Sequence, residues 1–500
     1  MRLLDLLGYI SLHAKLLSLR LAIRRGENLE SLLVAFKRIL SRYPELTRFQ
    51  SDAASFHLRW LIRSLAHCSR LPAPSCSDLL RELSFLNHHS SLLTDAFRLI
   101  QHKRVLYCGQ AYYNSWYLSR ALRKLRWKAD LLDWDENPSS QLYYHGADYR
   151  FIPPKPSDSC AIERYHLYIL SFYLRALYAY DIFHFANAHG ICFGHRLPSI
   201  VNPVLADGDE IRLIRRLGKS IVYSNNGCLD GVSPSSFARW GPESVCSICR
   251  WQHEPSVCSD ERNLAFGKFR NEVSDLQCLL GGNRVDYNLD PSIHEVPEFY
   301  CLSPKIWRLD LRIPTAYRHS SSHFLQSETV LLYHAVGNLS ARTREDGVNI
   351  KSTHIYLPLV DRLKSEGLPI DLISPTGIPN KKIRYLQAQA DIFLDMLTYG
   401  WFGANAREAM MLGKPVICFI RPEWLECLRA EIPDYADELP IVSATPDTVE
   451  TVLRTLITDR DLRETIGKRS RDFALKWHSD LAAAHRFNVI YANLLHFKSL

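Results

Sequence analysis

The chain has 500 residues, 47% of them hydrophobic and 23% charged, the balance of a folded globular protein with room for two or three cores. Its formal charge is +8, from 61 Lys plus Arg against 53 Asp plus Glu. That excess is scattered rather than gathered into a basic stripe with interleaved aromatics, which argues against nucleic acid as a partner. It suits anionic phosphate substrates or the surface of an anionic membrane. No run of about 18 apolar residues occurs, so no membrane-spanning helix is expected. Thirteen cysteines without a secretion signal fit reduced thiols and a metal better than a disulfide framework, and the expected location is cytoplasmic.

Residues 1 to about 100 read as a helical extension. Apolar residues recur at three and four positions, as in Leu3, Leu6, Leu7 and Ile10 and again in Leu32, Leu33, Phe36, Ile39 and Leu40, the spacing of one helix face. Asp5, His13, Lys15 and Arg20 interrupt the apolar start and no small-residue cleavage site follows. The start therefore reads as a retained amphipathic helix, not a signal peptide. Pro72 and Pro74 break the section, and Ser77 with Asp78 predicts a helix cap before LLRELSFL. The extension fits an oligomerisation element, a cap over a site, or a face resting on a membrane.

From Arg104 the pattern changes. RVLYCG is a short apolar run ending in glycine, Tyr113 to Trp127 has helical spacing, and ADLLDWD is a second apolar run ending in charge. Strand, glycine turn, helix, strand opens a doubly wound α/β domain. DIFHFANAHG and KSIVYSNNG read as later strands, with polar tips where ligands of such sheets gather. A Pro- and Ser-containing connection follows at roughly 312–328. Beyond it VLLYHAVGN, LPIDLIS, DIFLDML and PVICFI predict strands, separated by helices in THIYLPLVDRLKSEG, KKIRYLQAQA and AREAMML. From about Asp459 the chain reads as helical. The expected class is α/β: an extension over 1–100, a first Rossmann-type domain over 101–318, and a second over 319–500 that includes the terminal helices.

The segment Ala390 to Pro422 carries the most chemistry. A strand delivers Asp395, a turn bounded by Gly400 and Gly403 follows, and a helix begins near Ala404. Amides at a helix start lack intrahelical partners and sit at the positive end of its dipole, so they receive phosphate. The glycines let a bulky ligand approach the backbone. Ala404, Glu408 and Met411 share one helix face, which places the Glu408 carboxylate within reach of a ribose diol.

This segment resembles the donor-binding signature of the retaining GT-B glycosyltransferases of family 4 (glycosyl transferases group 1). There a Glu, a glycine turn and a second Glu eight positions on precede Ala-Met and Gly-x-Pro-Val. Here Gly403, Glu408, Ala409, Met410, Gly413, Pro415 and Val416 match. The resemblance covers about 33 residues closely and the two-domain layout over roughly 104–490, but not the first hundred. It implies a GT-B-like fold, two Rossmann-type domains facing a cleft, and transfer of a sugar with retention from a nucleotide-sugar donor to a hydroxyl acceptor. It further implies a glycan or lipid-linked acceptor, no cofactor for catalysis, and work in cell-surface polysaccharide synthesis, peripherally at the inner membrane.

The resemblance also assigns residues. Lys351, with Arg342 and Arg344, would neutralise the leaving diphosphate. Gly400, Trp401, Phe402, Gly403, Ala404 and Asn405 would form the turn that cradles the donor, with Gly109 as the facing turn of the first domain. His189, like His184, lies at the strand end near the sugar, and Asn225 and Asn226 are further cleft candidates. The family's first Glu falls on Gly400, so Asp395 is expected to take its place. That departure sustains a rival reading, a catalytically silent relative that binds sugar nucleotides or glycans in an assembly complex.

One further constellation stands apart. Cys228, Cys246, Cys249 and Cys258 form a four-cysteine set in a Cys-rich insertion at about 228–258, with one C-x-x-C pair. The spacing reads as a structural zinc site, with buried unpaired thiols as the alternative. Three D-x-D triplets, at Asp133 and Asp135, Asp207 and Asp209, and Asp459 and Asp461, lie in unrelated contexts and are discounted as metal ligands.

Overall fold

A computed structural model describes residues 18, 75–99, 101–134, 138–186, 201–202, 204–206, 208–225, 227, 230–240, 244–281, 283–319 and 329–497. Most of the helical extension therefore lies outside the described residues. Its described end forms two helices, α1 (Cys76–His88) and α2 (Ser90–Leu99). The cap of α1 is Ser75, not Ser77: the Ser75 hydroxyl accepts from the Asp78 amide while the Asp78 side chain reaches back to the Ser75 amide, a capping box set two residues earlier than the sequence suggested.

Two parallel sheets follow, and their strands explain why the apolar runs were so continuous. The first holds β1 (Arg104–Cys108), β2 (Lys128–Asp133), β3 (Tyr149–Arg150), β4 (Ile182–Phe185), β5 (Ser220–Ser224), β6 (Leu276–Leu279) and β7 (Ile293–Glu295). Its order is β3-β2-β1-β4-β5-β6-β7, and every pairing is parallel. Central strands β4 and β5 are buried along their whole length, as a sheet covered on both faces requires. Helix α3 (Asn114–Lys124) follows β1, and the long α4 (Ser159–Ala179) leads into β4.

The second sheet holds β8 (Val330–Tyr333), β9 (Ile370–Ile373), β10 (Ile392–Leu394) and β11 (Val416–Ile417) in the order β11-β10-β8-β9, again all parallel. Helices α5 (Thr353–Ser365), α6 (Asn380–Gln387) and α7 (Ala404–Met411) connect them. Each predicted strand and helix of this half is present. Strands β3, β6 and β7 have no counterpart among the sequence expectations, since two are only two or three residues long.

After α8 (Arg460–His478) the chain turns, and α9 (Asp480–Phe497) crosses back to the first domain. There the Tyr491 hydroxyl pairs with His184 Nδ1 at 2.6 Å, and Asn488 accepts from Trp127 Nε1 at 3.0 Å. A single apolar cluster runs from β1 residues through Trp307 to Trp401, Phe402 and Tyr491, so the two domains share a core beneath their cleft. Among the described residues no helix is long and apolar enough to cross a membrane.

Candidate functional site

The carboxyl ends of both sheets converge on a cavity of about 260 Å³ between the domains. The second domain contributes Arg342, Lys351, Trp401, Phe402, Gly403, Ala404, Asn405, Arg407 and Trp424, and the first contributes Tyr112, Tyr143, Asn225, Gly281, Asn283 and Tyr300. Seven residues assigned to the donor site by sequence thus stand on one wall.

Local geometry places Lys351 there. Asn349 Oδ1 accepts from the amides of Lys351 and Thr353 at 3.0 and 3.3 Å, tightening the loop before α5 as such side chains do in turns. Ser352 then takes a left-handed φ of 63°, and its hydroxyl accepts from the Leu397 amide. Lys351 Nζ meets Asp395 Oδ1 at 3.1 Å, with both side chains largely buried. The other Asp395 oxygen accepts from the Gly403 amide at 3.3 Å. A Cβ on Gly403 would lie 3.6 Å from Lys351 Nζ, so the ammonium sits against the start of α7. Lys351 and the helix dipole point positive charge at one place.

Asp395 therefore holds Lys351 and the turn. Only 3% exposed, its carboxylate is not on the cavity wall, contrary to the expectation that it would touch the transferred sugar. Gly400 is a backbone necessity: its φ is +96°, and an added Cβ would come within 3.0 Å of Arg421 Cβ and Nε. Arg344 is also corrected. Its guanidinium pairs with Asp346 at 2.8 Å and donates to the Ser247 carbonyl at 3.0 Å, away from the cavity that Arg342 lines.

Glu408 sits one turn inside α7, as expected, but is fully buried. Tyr113 Oη and Asn380 Nδ2 donate to its Oε1 at 2.8 and 2.7 Å, and Gln387 Nε2 donates to Oε2 at 2.5 Å. Burial pushes the Glu408 pKa up, against the pull of those three donors. Its carboxylate is thus occupied by protein, not presented to a ribose, in this arrangement. The donors continue the network: His145 Nε2 pairs with Asn380 Oδ1 at 2.8 Å, Tyr117 Oη pairs with His145 Nδ1 at 2.7 Å, and Trp307 Nε1 donates to Gln387 Oε1 at 3.2 Å.

On the first-domain side, Gly109 closes β1 with a φ of 105°, followed by left-handed Ala111 and Tyr112. Gly109 is off the cavity wall, which the turn reaches through Tyr112. His184 is buried between Tyr491 and Ser224, and burial drives its pKa to about 3, so it is a neutral structural group. Asn225 lines the cavity, and its Oδ1 accepts from the Gly227 amide at 3.0 Å. His189, Asn226 and Cys228 lie outside the described residues.

Among the described residues no group of three metal-ligating side chains is set to hold an ion. Burial, with Cys246 and Cys249 next, raises the Cys258 thiol to about 11. Of the discounted acidic triplets, Asp459 caps α8 by accepting from the Leu462 amide.

Sequence reasoning missed Tyr113, Asn380 and Gln387, and it missed Arg407. The last had a signal: Arg407 is four residues after Gly403 and so shares its helix face.

No protein-family model and no curated protein matches the sequence. Solved structures align with much of the chain at low similarity. Sucrose-phosphate synthase from Thermosynechococcus elongatus aligns with 79% of this chain and 100% of its own at 14% identity and a TM-score of 0.45. Anabaena HepE in complex with UDP-glucose aligns over 78% of this chain and 100% of its own, with 12% identity and a TM-score of 0.45. UDP-GlcNAc 2-epimerase from Neisseria meningitidis bound to UDP-GlcNAc gives 78%, 99%, 13% and 0.42 in the same order. The chain's own structure has two Rossmann-type domains facing a cleft.

Proposed function

We propose that this chain is a glycosyltransferase that moves a sugar from a nucleotide-sugar donor to a hydroxyl acceptor. The observation that carries the reading is Lys351, fixed by Asp395 against the Gly403 turn at the start of α7, on the wall of the interdomain cavity. The amides of Ala404 and Asn405 receive the donor diphosphate. Lys351 and Arg342 then stabilise the charge that grows on it as the anomeric carbon–oxygen bond breaks. The acceptor oxygen forms the new bond to that carbon, and its proton passes to the departing diphosphate. Retention, catalysis without a metal, a glycan or lipid-linked acceptor, peripheral membrane contact and surface-polysaccharide synthesis follow from the resemblance to family 4.

Two observations favour the rival reading of a silent binder: position 400 has no carboxylate, and Tyr113 seals Glu408. Nucleotide release separates the two readings. A panel of nucleotide sugars is screened first by thermal shift, because a ligand that binds only the folded state raises its apparent stability. The donor so found is then followed for nucleoside diphosphate release in the wild type and in Lys351→Ala. Release lost in the variant supports transfer; affinity without release in the wild type supports the silent binder. Lys351→Ala is the better probe than Glu408→Ala, which would strand three buried donors and lower stability by itself.

A further inference from the structure

Arg407 is a buried cation that the proposed reaction leaves unused. It is 5% exposed, one turn into α7, and stands on the cavity wall with its guanidinium 5.3 Å over the Tyr300 ring. Its Nε has no hydrogen-bond partner, and among the described residues no carboxylate pairs with it. The neighbouring Glu408 is committed to Tyr113, Asn380 and Gln387. Glu408 feels its charge without bonding to it, and the other groups that do are neutral: Tyr113, Tyr300, Tyr435, Cys301 and His478, which burial and then Arg407 hold down to about 3. A buried guanidinium to which no carboxylate hydrogen-bonds is costly, so its place in a ligand-sized cavity suits an anion.

The rest of the wall says what carries that anion. Trp401 and Trp424, 3% and 2% exposed, line the same cavity with unpartnered indole N–H groups. The buried Oδ1 of Asn283 is an unpartnered acceptor there. Spare donors, one spare acceptor and aromatic faces suit a body with both ring oxygens and hydroxyls, which is a sugar. Resting on the reading of the cavity as the transfer site, we propose that Arg407 receives an anionic group, carboxylate or phosphate, on a sugar bound there. The chain then handles an acidic sugar, with Arg407 reading a charge separate from the diphosphate at Lys351.

The test titrates glucose, glucuronate and glucose 6-phosphate into wild-type protein, Arg407→Gln, Arg407→Lys and Lys351→Ala by calorimetry, with melting curves on each variant. The wild type is expected to favour at least one anionic sugar over glucose by roughly ten- to a hundredfold, the worth of a charge-assisted hydrogen bond. Arg407→Gln binds all three alike, and Arg407→Lys, which keeps charge but not the planar fork, falls between. Preference for glucuronate names a sugar carboxylate as the source, and preference for glucose 6-phosphate names a phosphate. Lys351→Ala keeps the preference. An absence of preference in the wild type overturns the proposal even if Arg407→Gln does not fold, and so does a preference that survives in Arg407→Gln. Nucleotide release failing while the preference persists would count against the transfer reading alone.

Discussion

The Tyr113 hydroxyl, at the start of the first domain's helix α3, donates to the Glu408 carboxylate of the second domain at 2.8 Å. A phenol from one domain thus closes on the acidic residue whose place on the helix face suggested a contact with the donor's ribose. Burial, then the neighbouring Glu408 charge, hold the Tyr113 phenol far above its ordinary value, so it keeps its proton and acts as donor. With this contact made, Glu408 is fully buried and not open to a ribose.

Tyr113→Phe should therefore have two opposite effects. Removing the donor from a buried carboxylate costs about 1–3 kcal/mol of ligand-free stability, read by urea denaturation. The same variant should bind the nucleotide found by thermal shift several-fold more tightly, because Glu408 no longer has to be released first. Affinity that is unchanged or weaker would remove Glu408 from the ribose site.

The Lys351–Asp395 pair makes a second prediction. Asp395→Asn keeps the shape but loses the charge that holds the ammonium against the Gly403 turn. Turnover should fall about 10²-fold, the scale seen when one preorganised electrostatic contact is lost, and Asp395→Glu should recover part of it. Steady-state kinetics on the identified donor decide this, and equal activity in Asp395→Asn and wild type would show that Lys351 needs no anchor.

Position 400 offers a direct test of whether the turn can take the carboxylate that the resemblance to family 4 would put there. Gly400→Glu forces a side chain onto a left-handed residue, with Cβ at 3.0 Å from Arg421, at a cost of about 1–3 kcal/mol. The variant should be less stable in denaturant titration and no more active. A gain in turnover would show that the turn can accept the family's acid.

Much of this was legible in the sequence because it depends on local pattern. The strands of the second domain announced themselves as short apolar runs, and Gly403 to Asn405 were placed by the glycine turn before AREAMM. What was not legible depends on long-range partners. Nothing around Glu408 in sequence says that Tyr113, 295 positions away, will take its carboxylate. Asp395 looked like a sugar contact because a strand-end acid reads the same whether it faces a ligand or a lysine. The zinc reading of the cysteines rests on four thiols converging, which spacing along a chain does not fix, and one of them, Cys228, lies outside the described residues.

The same network predicts how the molecule responds to acid. His145 bridges the domains: Asn380 Nδ2 donates to Glu408, so Asn380 Oδ1 accepts from His145 Nε2–H, and His145 Nδ1 accepts from Tyr117. The neutral ring fits that pattern, and burial is the main cause that lowers its pKa from 6.5 to about 4. Below pH 6.5 the unfolded chain takes up a proton that the folded protein refuses. This contribution to stability is therefore complete above 6.5 and drains away as pH falls towards 4, by about 3 kcal/mol in all. His184 and His478, both lowered to about 3 mainly by burial, add losses of the same sign that extend further down. Denaturant midpoints at pH 7, 6, 5 and 4 should fall steadily, and His145→Gln should flatten part of the slope between 6.5 and 4 while leaving the rest. A variant with the wild-type slope would mean that His145 is protonated in the folded protein and that the bridge to Asn380 holds in either charge state.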